Sequence, residues 1–252
     1  MARKVIPLRQ YIEAWDYAYE VIDSISKETN MLHEKITFRE VIKYFETTYK
    51  IHFVYLDRDP FPDLPSPGLL GSEHIKHRGL VTNPDVTFSP DIISKHNDGM
   101  TIFDKSQHKY VVFINQRHIK ERVIFTILHE LAHIKAHFDT GRTSEIALAC
   151  AGNYKDNPLE LEANAIASLF YINNARMVWH LKSTHSYQDI KKLNAISDNA
   201  LFNRLVDFVQ YRIFTYEEYL LDEQQRRRAA IDLVTKFKKG DLTLFEYYDV
   251  NV

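Results

Sequence analysis

TILHELAHIKAHF, Thr126 to Phe138, carries three histidines at four-residue intervals and a glutamate beside the first. It belongs to a longer apolar run, VIFTILHELAHI, with helical periodicity. Ionisable groups on such a helix need partners, because unpaired charge is costly to bury. His129, Glu130 and His133 form H-E-x-x-H. Side chains four residues apart share one helix face, so both imidazoles can reach a single metal ion. Glu130 leans to one side, where it can hold a water whose pKa zinc lowers to about 7, and can take its proton. His129 and His133 are candidate ligands and Glu130 the candidate general base.

His137 is a tempting third ligand. It lies eight residues past His129, about 12 Å along a continuous helix at 1.5 Å per residue, and IKAH offers no glycine turn to bring it back. An ordinary place at the helix end, near the negative dipole, is expected for it. The missing ligand is sought instead in NPLELEANAIASLFY, Asn157 to Tyr171. Glu162 is favoured: small Ala163 and Ala165 permit close helix approach, and Ile166 and Leu169 give it an otherwise apolar face. Glu160, flanked by Ala163, Asn164 and Ala167, is the alternative. Cys150 could also ligate zinc, although a lone cysteine more often packs as a small hydrophobe. Two imidazoles and a carboxylate favour zinc, with manganese possible.

Around this helix the pattern is α+β and mostly helical. YIEAWDYAYEVIDSIS and FREVIKYFETTYK read as helices and IHFVYL as a strand. MTIFD and KYVVFIN, separated by KSQH, read as a hairpin and imply a small antiparallel sheet. Pro60 to Gly71 holds four of the eight prolines and reads as an extended loop. From Leu159 to Lys239 neither proline nor glycine occurs, which allows helix almost throughout.

Of the 252 residues, 45% are hydrophobic and 13% aromatic, enough for a packed interior. The net charge of −2 gives no field drawing the chain to nucleic acid or an anionic membrane. One cysteine excludes an intramolecular disulfide and fits a reducing compartment. MARKVIPLRQ lacks the apolar stretch of a signal peptide, and no run is long enough to span a bilayer. A soluble cytoplasmic protein is expected.

HELAH followed by E-x-E-A-N resembles the ImmA/IrrE family of metallo-endopeptidases. FREVIKYFETTYKIHFVYL, KYVVFIN and FTILHELAH are similar to the same domain, so the likeness covers about residues 37 to 210. It implies a zincin-like, gluzincin-type site with His129, His133 and Glu162 as ligands and Glu130 as base. It also implies the family's task, cleavage of a helix-turn-helix repressor that releases genes of a mobile element, prophage or stress response. The chain departs from the family in carrying Ala132 where glycine is usual, and AIASLFYINN after EAN. The organisation that follows is an N-terminal helical extension over 1–36, a metallopeptidase domain over 37–182 and a helical C-terminal region over 183–252.

Within that last region, residues 187–209 have helix-turn-helix spacing, with Ser197 as a cap for the second helix. Arg204 stands there against Asp198 and Asp207, so packing or substrate docking is preferred to DNA contact. Residues 216–239 read as a long helix ending at Gly240, with Arg226, Arg227 and Arg228 on a solvated face. Tyr171, His180 and His185 are candidates for an oxyanion stabiliser by position alone. The competing functions are a non-proteolytic regulator that binds DNA or a repressor, and a defence-type or toxin-type protease with another target.

Overall fold

Short runs rich in β-branched and aromatic residues build the strands β1 (Ile51–Leu56), β2 (Val81–Asn83), β3 (Val86–Phe88), β4 (Gly99–Asp104) and β5 (Lys109–Asn115). In this computed structural model the described residues are 6–56, 81–83, 86–88, 98–105, 107–115, 118–142, 157–214 and 222–244. Cys150, the loop Pro60 to Gly71 and residues 216–221 lie outside them. The chain divides into two units, Phe38–Ala167, and Met1–Thr37 with Ser168–Val252. Sequence reading separates the first 36 residues from those after 182, whereas both ends cluster in one unit.

In the unit Phe38–Ala167, β4 and β5 form the expected antiparallel hairpin, with Gly99 opposite Ile114 and Asp104 opposite Lys109. β1 runs parallel to β5, Ile51 opposite Tyr110, giving the order β1–β5–β4. The sheet is therefore mixed rather than wholly antiparallel. A parallel neighbour requires a crossover, and the long segment between β1 and β4 permits one. β2 and β3 pair separately as a short antiparallel ribbon.

Helix α2 (Phe38–Thr48) buries Val41, Ile42 and Phe45, and α3 (Lys120–His133) packs against α2, β4 and β5. Val123, Ile124, Ile127, Leu128, Leu131 and Ala132 are buried on α3, which is why so short a helix is held on nearly every side. It continues without interruption into a π-helical turn, Ile134–Phe138. Helix α4 (Pro158–Tyr171) buries Ala163, Ala165, Ile166 and Ala167, small or branched groups that allow close packing.

The other unit is helical: α1 (Leu8–Thr29), α5 (Asn174–Lys182), α6 (Tyr187–Asn194), α7 (Asp198–Phe208), a π-helical turn Val209–Ile213, and α8 (Glu223–Lys239). On α1, Tyr11, Ala14, Ala18, Val21, Ile22 and Ile25 form one buried stripe at helical spacing. Caps break the stretch free of proline and glycine. Asn173, Ser186 and Ser197 each accept from a backbone N–H of the helix that follows, and Ala195 ends α6 in the left-handed region. α8 starts at Glu223, set by a reciprocal cap between Asp222 and Gln225, and stops at Gly240 with φ 83°.

The expected α6–turn–α7 spacing forms, but Arg204 and Asp207 face inward. Arg204 is 1% exposed, and its Nε donates to the Ile172 carbonyl at 2.8 Å. Its Nη2 donates to Asn174 Oδ1 at 2.5 Å. Asp207 is buried and paired with Arg227. The cation weighed as a nucleic-acid contact is thus structural. Arg226 and Arg227 are also buried, which leaves Arg228 as the exposed member of a cluster expected to be solvated throughout. No helix among the described residues is long and apolar enough to cross a membrane.

Arg204→Ala should destabilise the fold by about 3 kcal/mol, since it abandons a buried carbonyl and a part-buried amide oxygen together. Urea unfolding followed by tryptophan fluorescence measures this, and a change below about 1 kcal/mol would contradict it.

Candidate metal centre

Burial on α3 makes its polar residues informative. His133 is 3% exposed and Glu130 4% exposed. The two Nε2 atoms of His129 and His133 converge at 3.1 Å, as i,i+4 geometry on one helix face requires. The carboxylate that joins them comes from α4 and is that of Glu160. Its Oε2 lies 3.1 Å from His129 Nε2 and its Oε1 3.4 Å from His133 Nε2. His129, His133 and Glu160 form a group that could hold a metal ion.

The donor set fits one. At zinc bond lengths of about 2.0–2.1 Å, neighbouring tetrahedral ligands stand roughly 3.3 Å apart, close to the three separations observed. Side-chain exposure is 4% at His133 but 15% at His129 and 12% at Glu160, so solvent reaches the group from the latter side. The electrostatics point the same way. Burial lowers the pKa of His133 to about 4, outweighing the opposite pull of Glu160, so this imidazole is neutral. Burial would raise the pKa of Glu160, but its bonds to His129 and His133 prevail and keep it ionised below the usual carboxylate range. For His129, burial pulls downward, yet Glu160 and Glu130 bring the net shift upward.

Sequence favours Glu162 for the third donor, with Glu160 as alternative. The structure turns Glu162 elsewhere: its Oε2 lies 3.0 Å from His137 Nε2 and accepts from Arg142 Nη1 at 2.8 Å. Two residues apart on a helix, the two carboxylates diverge by about 200°, so only one can face His129 and His133. His137 stays outside the group, as its helical distance requires, but it is no exposed helix end. At 1% exposure it is enclosed within the π-helical turn.

Glu130 points to the sheet. Its Oε2 accepts from the Thr101 hydroxyl at 2.7 Å, which fixes the carboxylate next to β4. Burial raises its pKa to about 7, against the lowering effects of His129 and Thr101. Gly99 completes this contact. A Cβ there would stand 2.7 Å from Thr126 Cγ2 and 2.9 Å from Glu130 Oε1, so only glycine lets β4 approach α3 this closely. Sequence reading missed both residues; a threonine on the inward face of MTIFD was the available signal.

The three oxyanion candidates have other partners. The Tyr171 hydroxyl donates to the Ala195 carbonyl at 2.8 Å, and His180 Nδ1 and His185 Nδ1 lie 3.0 Å apart. They belong to the unit built from the chain's two ends.

Helix, hairpin and an inward-facing histidine pair with its carboxylates are features of the metallopeptidase class. Residues 87–205 match the Peptidase_M78 family, described as an IrrE N-terminal-like domain, which supports the likeness of the motifs to the ImmA/IrrE family. Neither the curated proteins nor the solved structures compared with it give a match.

Gly99→Ala should cost about 1–3 kcal/mol by overpacking. Thr126→Ser removes the nearest methyl while retaining the hydroxyl, and in the double variant it should restore part of that loss. A double-mutant cycle by chemical denaturation checks this; strictly additive costs would refute the close approach.

Proposed function

We propose that the chain is a zinc-dependent endopeptidase with His129, His133 and Glu160 as metal ligands and Glu130 as general base. The observation that carries this is the convergence of His129 Nε2 and His133 Nε2, 3.1 Å apart on one face of α3, on the Glu160 carboxylate of α4, whose Oε2 lies 3.1 Å from the former and Oε1 3.4 Å from the latter. A zinc ion bound there supplies Lewis-acid polarisation of a peptide carbonyl and acidifies water. Glu130, held by Thr101 at one oxygen, has Oε1 free to take a proton from the attacking water and return it to the leaving amine. β4 is an edge of its sheet among the described residues, so an extended substrate could add to it through backbone hydrogen bonds.

The family match over residues 87–205 supports a protein substrate, and the resemblance of the motifs supports a helix-turn-helix repressor as that substrate, with gene derepression the result. Burial of Arg204 removes the cation that favoured direct DNA binding by α7. Manganese is the alternative metal for the same donors. A cytoplasmic setting agrees with a repressor target.

Co-expression with a helix-turn-helix repressor from the same genome tests the reading. Full-length repressor should disappear with the wild type and persist with Glu130→Gln. Its persistence with both would remove it as the substrate. In purified protein Glu130→Gln should retain its metal while kcat/KM falls by about 10²–10⁴-fold; loss of metal together with activity would instead give Glu130 a ligand role.

A further inference from the structure

A buried hydrogen-bond chain runs outward from the proposed ligand His133. Its Nε2 faces His129 and Glu160, while its Nδ1 lies 2.8 Å from His137 Nδ1. His137 Nε2 lies 3.0 Å from Glu162 Oε2, and Arg142 Nη1 donates to that same oxygen at 2.8 Å. Side-chain exposure is 4% at His133, 1% at His137, zero at Glu162 and 38% at Arg142, so the chain starts in the interior and ends at solvent.

A neutral imidazole has one donor nitrogen and one acceptor. If His133 Nε2 is to present a lone pair to a metal, its Nδ1 must carry the proton and donate to His137 Nδ1. His137 must then carry its own proton on Nε2, which donates to the Glu162 carboxylate. Each contact has one donor and one acceptor under this assignment. The reversed chain would need a proton on Glu162 Oε2, the oxygen that the Arg142 cation already faces, and would place a proton on His133 Nε2.

The π-helical turn is a second, independent observation. It begins immediately after His133, carries His137, and closes with the Asp139 N–H donating to the Ile134 carbonyl at 3.0 Å. Such turns inside α-helices are rare and concentrate at functional sites. His129 has no equivalent support: its Nδ1 is buried without a hydrogen-bond partner among the described residues.

We infer that His137, Glu162 and Arg142 are positioning residues that hold His133 as the Nδ1–H tautomer and aim its Nε2 at the metal. This rests on the metal-site reading above and assigns Glu162 a role outside the ligand set. Partners of this kind orient an imidazole and raise its basicity, and their loss typically costs about 10–100-fold in metal affinity.

The test uses the full chain, zinc titrated against a chromophoric chelator, and ¹⁵N-histidine NMR to read tautomers. In the zinc-loaded wild type, His133 should carry its proton on Nδ1 and His137 on Nε2. His137→Phe and Glu162→Gln should each weaken zinc binding by about 10–100-fold with the stoichiometry unchanged, and in the metal-free protein the His133 tautomers should mix. Arg142→Gln, at a half-exposed position, provides the same readout should the buried variants not fold, with an expected weakening of several-fold. Unchanged affinity and tautomer in the folded variants would overturn the inference. So would loss of stoichiometric zinc in Glu162→Gln with retention in Glu160→Gln, which would make Glu162 the ligand. A wild type that binds no zinc would refute the metal reading beneath it.

Discussion

Burial of ionisable groups on α3 and on the π-helical turn that continues it is the constraint that organises this unit. A helix that encloses Glu130, His133 and His137 between a sheet and other helices loses several kcal/mol for every group left without a partner. Each has one. Thr101 from β4 serves Glu130, Glu160 from α4 serves His133, and Glu162 serves His137. The neighbouring elements are placed accordingly: β4 must come close enough for a threonine hydroxyl, and α4 close enough for two carboxylates. Gly99 meets the first demand and Ala163, Ala165 and Ala167 the second.

The sequence displays what one helix determines by itself. H-E-x-x-H sets two imidazoles on one face by i,i+4 spacing, and their Nε2 atoms do converge. Short β-prone apolar runs likewise suffice for β1, β4 and β5, and the polar KSQH between the last two for the hairpin. The parallel pairing of β1 with β5 lies beyond that reach, because register between distant strands is a tertiary choice. So is the rotation of α4 about its axis. Ile166 and Leu169 mark Glu162 as the carboxylate on an apolar face, and it is indeed fully buried. Apolar surroundings, however, cannot tell which imidazole a buried glutamate will meet. Glu160 meets His129 and His133, and Glu162 meets His137.

The unit formed by the two chain ends shows the same division. Its breaks are local and readable: Ser197 caps α7 and Gly240 closes α8, since capping depends on a few adjacent backbone groups. The destinations of Arg204, Asp207, Arg226 and Arg227 are not local. In sequence Arg226 and Arg227 read as part of a solvated face, and Arg204 and Asp207 only as charges for packing or docking; all four are buried, with Arg227 paired to Asp207 and Arg204 bonded to the Ile172 carbonyl. Charge on a helix face therefore says little about partners until its packing is known.

The proposed chemistry draws on the two sides of α3 unequally. On the side of β4, Glu130 is tied at one oxygen and held where only a glycine fits opposite, so the carboxylate has little freedom to turn away. On the side of α4, His133 is tied through His137 to Glu162, whereas His129 keeps an unpartnered Nδ1 among the described residues and the greater exposure. A base and one ligand are thus fixed by the surrounding fold, and the second ligand and Glu160 border the accessible side. Preorganisation of that kind lowers the reorganisation needed when charge moves. It also leaves the more exposed edge of the site, His129 and Glu160, where a peptide bond of the proposed substrate would enter.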